Sequence, residues 1–181
     1  MLRKPITAGF SLVELLISVL LIATLYAVVL GPSAGQVKAR QFAACAENLR
    51  KIHLALGIYA NDHNNAYPSA PGATSSEQPL SLLVPKCTTD TSVFTCPATG
   101  RAPLRQGQAF SGRRISYAYV SGLSRNDPPG TPLACDTRTG DNHKKSGGNV
   151  LFIDGHVEQV APKPPHDLAL PAHAVWLESK Q

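Results

Sequence analysis

Residues 10–30 form a run of twenty-one positions that is almost wholly apolar yet holds one acid, Glu14. At about 1.5 Å per helical residue, such a run reaches across the roughly 30 Å hydrocarbon core of a bilayer. A lone carboxylate there costs about 2.5–3.5 kcal/mol on insertion scales, so Glu14 needs a partner. No basic residue lies within the run to supply one. The complement must come from elsewhere, and a newly exposed amino group at Phe10 of a neighbouring copy would suit. The bland alternative is an incidental acid that snorkels to the near aqueous face.

The flanks fit the first version. Residues 1–9 carry Arg3 and Lys4, a basic segment of the kind that stays on the cytoplasmic side. A secretory signal has an apolar region of about 7–15 residues followed by an Ala-x-Ala-like cut. Here the apolar region is longer, and Gly31-Pro32-Ser33-Ala34-Gly35 beyond it offers no good site of that kind. Cutting between Gly9 and Phe10 would remove the basic leader and keep the apolar segment. Gly9 suits such a cut because it lets a peptidase approach the backbone closely.

The motif Gly9-Phe10-Ser11-Leu12-Val13-Glu14, followed by an apolar helix, resembles the class III signal of type IV pilins and type II secretion pseudopilins. The resemblance implies that a prepilin peptidase cleaves after Gly9 and N-methylates Phe10, and that Glu14 is the assembly acid. It implies as partners other copies of the chain and other pilin-like subunits, an inner-membrane assembly platform and the lipid bilayer. It places the head in the periplasm of a bacterium, on a single-pass inner-membrane anchor. The resulting expectation is a non-enzymatic subunit of a type II secretion pseudopilus. A type IV pilus subunit is the alternative. The driving ATPase would be a separate protein, since this chain has no phosphate-binding loop.

The expected organisation is a leader at residues 1–9 and a transmembrane and assembly helix at 10–30. An amphipathic second half of the helix follows at 31–66, then a small β-rich head at 67–181. Gly31-Pro32 should kink or locally melt the helix, because proline removes a hydrogen bond and clashes with the preceding turn. Beyond it Phe42, Cys45, Leu49, Ile52, Leu56 and Tyr59 recur at helical spacing as one apolar stripe. Lys38, Arg40, Glu47, Arg50, Lys51 and His53 lie on other faces and should be solvated. The helix should stop near Asn61, where a polar run competes for backbone hydrogen bonds.

The remainder reads as strands and loops. Ile115-Ser116-Tyr117-Ala118-Tyr119-Val120 alternates as a half-buried strand. Asn149 to Ile153 and His156 to Val160 flank Asp154-Gly155, which favours a two-residue hairpin turn. Ala174-Val175-Trp176-Leu177 offers a short edge strand, and Pro79-Leu80-Ser81-Leu82-Leu83 a helical turn. Residues 126–146 read as a long loop. The fold class is therefore α+β, a long N-terminal helix laid on a small antiparallel sheet in the manner of a pilin.

Formal charge is +5, but Arg3 and Lys4 belong to the leader, and without them 15 basic side chains face 12 acidic ones. Arg101, Arg105, Arg113 and Arg114, with Tyr117 and Tyr119 nearby, raise the rival of a head that binds nucleic acid. A solvated face is favoured over it, because no stacking or groove-reading motif accompanies the charges.

Four cysteines on the outer side of a membrane suggest disulfides and allow three pairings. Cys87 and Cys96 close a small loop and could pair locally. Pilin-like relatives often carry one cysteine in the helix, as in Cys45-Ala46-Glu47-Asn48-Leu49, and another in a Phe-x-Cys-Pro stretch, as in Phe94-Thr95-Cys96-Pro97. That resemblance leans towards Cys45–Cys96 with Cys87–Cys135. The lack of any Cys-x-x-Cys pair argues against metal ligation by these thiols.

His143, Asp154 and His156 are the metal-ligand candidates, with Asp136, Asp141 and Asn142 close in sequence. The resemblance suggests calcium, which major pseudopilins hold in a C-terminal loop. Calcium wants six to eight oxygens, however, and no EF-hand spacing occurs, so the expectation is no cofactor. The C-terminal hairpin is similar to a pilin-like subgroup in which nine residues separate a His from Asp-Gly. Here ten separate His143 from Asp154-Gly155. A membrane-tethered enzyme or metal-binding module using His143, Asp154 and His156 is the second rival.

Overall fold

Apolar side chains without β-branched crowding at every turn favour a helix over residues 12–29, and α1 is Leu12–Val29. The computed structural model describes residues 11–31, 33–107, 110, 114–137, 142–143, 147–160 and 168–179. The chain divides into two units, Met1–Val37 and Lys38–Gln181. In the first, α1 has no buried residue; at 18 residues it is long and apolar enough to cross a membrane. Ser18 Oγ and Thr24 Oγ1 donate to the carbonyls of Leu15 and Leu21 at 2.8 and 2.9 Å, so the helix hides its own hydroxyls. Helical bonding lapses after Leu30 and resumes at α2, Ala34–Asp62. Ser33 starts α2, its carbonyl accepting from Val37 N–H at 3.1 Å and its hydroxyl from Gln36 N–H at a long 3.4 Å. Gly31 sits in this interruption, as expected; Pro32 lies outside the described residues.

In the second unit the stripe of α2 is the core. Phe42, Cys45, Leu49, Ile52 and Leu56 are buried, Tyr59 is half-buried, and Ala55 and Ala60 extend the face. Two asparagines end the helix in left-handed conformation, Asn64 at φ 53° and Asn65 at φ 64°. Asn65 N–H reaches back to Ala60 O at 2.9 Å, a Schellman-type closure by the residue type that best replaces glycine there.

Five antiparallel strands cover the stripe: β1 Tyr117–Ser121, β2 Pro132–Asp136, β3 Gly148–Phe152, β4 Val157–Val160 and β5 Val175–Leu177, in spatial order β4-β3-β2-β1-β5. Register pairs set one residue per strand side by side. Tyr119, Ala134 and Leu151 face the main core, while Ala118, Cys135 and Val150 join Phe152 in a second cluster on the opposite face.

Several expectations change. The strand expected to be half-buried, β1, is a central strand with Tyr117 to Val120 buried. The presumed loop at 126–146 contains β2, also buried throughout, with Pro132 at its first position where no ladder donor is needed. The turn between Phe152 and His156 holds three residues, 153–155, rather than two. Phe152 N–H donates to His156 O, Gly155 N–H donates to Phe152 O, and Gly155 takes φ 88°, the pattern of a turn followed by a left-handed residue. The helical turn expected near Pro79 is α3, Glu77–Leu80, followed by a short 3₁₀ turn at Ser81–Leu83. It docks on β1, Ser76 Oγ donating to Tyr117 O at 2.9 Å.

Candidate functional site

Glu14 lies in the first turn of α1, exposed, between Val13 and Leu15 and with the serines Ser11 and Ser18 about one turn to either side. Gly9 and Phe10, the expected cleavage and methylation positions, lie outside the described residues. Leu12 is 77% exposed and Val28 80%, so α1 presents a largely apolar surface, broken by Glu14 and by hydroxyls such as those of Ser18 and Thr24 that bond back to the helix. A helix of this length and composition is compatible with a single membrane span.

In the head, four segments converge on one buried point. Helix α2 supplies Cys45, the turn before the 3₁₀ segment Pro97–Thr99 supplies Cys96, β2 ends on Asp136, and residues 142–143 bring in His143. One ligand-type atom from each of these four residues lies within 4.8 Å of all the others. Cys45 and Cys96 are joined as a disulfide with Cα atoms 5.4 Å apart. His143 Nε2 lies 3.2 Å from Asp136 Oδ2 and 3.8 Å from Cys96 Sγ. The histidine ring stacks on Phe42 at 3.8 Å between centroids, which fixes its plane.

Asp136 is held by amide donors. Its Oδ2 accepts from Asn149 N–H at 2.8 Å and Asn149 Nδ2 at 3.0 Å, and its Oδ1 accepts from Asn142 Nδ2 at 3.1 Å. Asn149 Nδ2 also donates to Phe42 O at 3.2 Å, tying β3 to α2 at the edge of the cluster. These bonds compensate the burial of a carboxylate whose side chain is only 4% exposed.

Of the two cysteine pairs that the resemblance implied, Cys45–Cys96 forms, whereas Cys87 and Cys135 are not joined to each other. The reason is the sheet. Cys135 belongs to the cluster on the far face with Ala118 and Val150, while Cys87 packs against the main core.

His143, Asp154 and His156 are not brought together as a ligand group. Asp154 accepts at Oδ1 from His156 N–H at 3.0 Å and from its ring Nδ1, and both side chains are about half exposed at the hairpin tip. The backbone bond from His156 is the main cause holding the Asp154 carboxyl below its usual value; slight burial opposes it, and the His156 ring and nearby His53 assist. His156 also stacks on Phe152. This set offers too few oxygens for calcium; Asp141 lies outside the described residues. His53, expected in solvent, is half-buried instead, donating from Nε2 to Ile153 O at 2.9 Å beneath the turn. Tyr117 and Tyr119 are fully buried, so neither can stack on a base beside the arginines, of which Arg113 lies outside the described residues.

Asp136, Asn149 and Phe42 complete the buried cluster, and no pattern along the chain marks them as a group. The available signal was the general need of a buried acid for donors, but it required knowing that residues 132–136 are a strand. Comparisons with known protein families, with curated proteins and with solved structures find no match.

Proposed function

We propose that this chain is a prepilin-like structural subunit that polymerises through its N-terminal helix, as a component of a type II secretion pseudopilus. The observation that carries the reading is α1, a membrane-length apolar helix with no buried residue and a single acid near its start. An isolated span would gain nothing from Glu14. A bundle of such helices would, if each Glu14 accepts a charge-assisted hydrogen bond from the Phe10 amine of an adjacent subunit. Peptidase cleavage after Gly9 creates that amine. In low dielectric the pairing fixes axial register, and the apolar helices bury one another.

The Cys45–Cys96 disulfide supports a head on the oxidising side of the membrane. In this reading the chain is a substrate of the peptidase and does mechanical rather than chemical work, driven by a separate ATPase.

The test is expression in cells that hold the processing and assembly machinery. Mass spectrometry should find a mature chain beginning with methylated Phe10. Glu14→Ala should be cleaved and inserted normally, yet reduce sheared or pelleted filaments at least tenfold. A mature protein that still begins at Met1, or wild-type filament yield from Glu14→Ala, would overturn the reading.

A further inference from the structure

We propose that, with Cys45 and Cys96 reduced, the buried cluster of Cys45, Cys96, Asp136 and His143 binds one zinc ion, so that the head carries either a metal or a disulfide at the same point. The inference is independent of filament assembly.

The geometry is that of a closed four-ligand site. Zinc bonds of about 2.0–2.3 Å to nitrogen, oxygen and sulfur place neighbouring ligands of a tetrahedron roughly 3.3–3.8 Å apart. His143 Nε2 is already 3.2 Å from Asp136 Oδ2 and 3.8 Å from Cys96 Sγ. The remaining pairs lie within 4.8 Å and need only small side-chain adjustments; the two sulfurs must separate, and the Cα positions of Cys45 and Cys96, 5.4 Å apart, allow that by side-chain rotation. Two sulfurs, one imidazole and one carboxylate suit zinc and are wrong for calcium. A disulfide by itself has no use for an adjoining carboxylate and imidazole, whose side chains are 4% and 2% exposed. Asn142 and Asn149 orient the carboxylate from outside, as the hydrogen-bond partners of metal ligands do. The absence of a Cys-x-x-Cys motif does not count against the site, because its two thiols come from segments 51 residues apart.

The two states interconvert with complete balance. On binding, one Zn²⁺ displaces the two thiol protons of Cys45 and Cys96. On oxidation by a disulfide-bearing oxidoreductase, the two thiolates give up two electrons and form the Sγ–Sγ bond. The oxidant's disulfide takes those electrons with two protons and becomes a dithiol, and Zn²⁺ leaves. Either cross-link closes the same span of chain, so a newly translocated head can hold its fold before oxidation.

The experiment uses the full chain in detergent micelles, stripped of metal, reduced by a phosphine without oxygen, and titrated with Co²⁺ and then Zn²⁺. We expect one Co²⁺ per reduced chain, with thiolate-to-cobalt charge transfer and the ligand-field bands of a four-coordinate ion, both abolished by Zn²⁺. Zinc should shield Cys45 and Cys96 from alkylation, and the disulfide form should bind neither ion. Cys87→Ser should bind as wild type. His143→Gln should weaken binding by at least the roughly 10–100-fold that loss of an outer partner costs. The proposal fails if the reduced, folded chain shows no charge-transfer band, if Cys87→Ser removes it, or if the disulfide form binds equally. It also fails if reduction unfolds the head and zinc does not restore its circular dichroism.

Discussion

The bonded sulfurs of Cys45 and Cys96 are fully buried in the head, and the other two cysteines differ from them in chemistry as well as place. Cys87 is half-buried; burial raises its thiol pKa, Asp62 adds to the rise, and Lys86 only partly offsets it. Cys135 is fully buried on the far face of the sheet. Digestion without reductant should therefore yield one cross-linked peptide pair, Cys45 with Cys96. Iodoacetamide should label Cys87 alone in the native protein, faster as pH rises through the thiol range, and Cys135 only after denaturation. With a chelator present, reduction should lower stability to urea by about 4 kcal/mol, the chain-entropy value for a cross-link spanning 51 residues. A bond between Cys87 and either Cys96 or Cys135 would contradict this pairing. Glu14, Cys45, Cys96 and His143 each stood out in the sequence, because an acid in hydrocarbon and cysteines in a small head have few bland uses. Their grouping did not. Asp136 is placed by β2, opposite Tyr117 of β1 and bonded through its carboxylate to Asn149 of β3, and no local pattern encodes such long-range pairings.

The 152–156 hairpin shows how an element can be legible while its contacts are not. Asp154-Gly155 announced a turn, but the three-residue form brings Gly155 onto α2. A Cβ at Gly155, where φ is 88°, would lie 2.8 Å from His53 Cε1. Gly155→Ala should therefore cost about 1 kcal/mol for the left-handed backbone and about 1 more for the displaced His53–Ile153 hydrogen bond. Gly100→Ala, at φ 65° with open space around it, should cost only the first part. In a His53→Ala background the two costs should converge, and equal urea midpoints for Gly155→Ala and Gly100→Ala in the wild-type background would refute the contact. The helices were readable for a simple reason: a periodic apolar stripe needs only the residues of its own segment. Strand β2 was hidden because Leu133-Ala134-Cys135, buried on both faces, shows no alternation. Strand β5 was read from its β-branched and aromatic residues and pairs with β1; just before it, His173 Nε2 lies 3.1 Å from Asp127 Oδ1. Burial raises the Asp127 pKa, but bonds from Ser124 and the His173 charge outweigh it and hold the carboxyl low.

At the scale of the whole head, three of the five tyrosines of the chain link its parts and share one electrostatic consequence. Tyr119 donates from its hydroxyl to Pro68 O at 2.9 Å, joining β1 to the segment after α2. Tyr117 is fully buried beside Asp136, and Tyr67 is buried near Arg125. Burial is the largest cause raising all three pKa values. The nearby tyrosines Tyr67 and Tyr59 add to it at Tyr119, and the Asp136 charge adds at Tyr117; Arg125 opposes it at Tyr67. A phenol whose folded pKa exceeds its unfolded value of about 10 gives the fold its full stability below that pH. Above it the unfolded chain sheds protons that the native head retains, so stability falls as pH climbs towards the folded values. The phenolate absorbance of Tyr67, Tyr117 and Tyr119 should thus appear together with loss of circular dichroism in alkali, as one cooperative step. Tyr119→Phe should lower the urea midpoint by removing the Pro68 bond, at about 1 kcal/mol, while shrinking that absorbance step. Smooth ionisation of all the tyrosines near pH 10 with native dichroism retained would mean that these rings are reached by water, and that the sheet does not seal the core against α2.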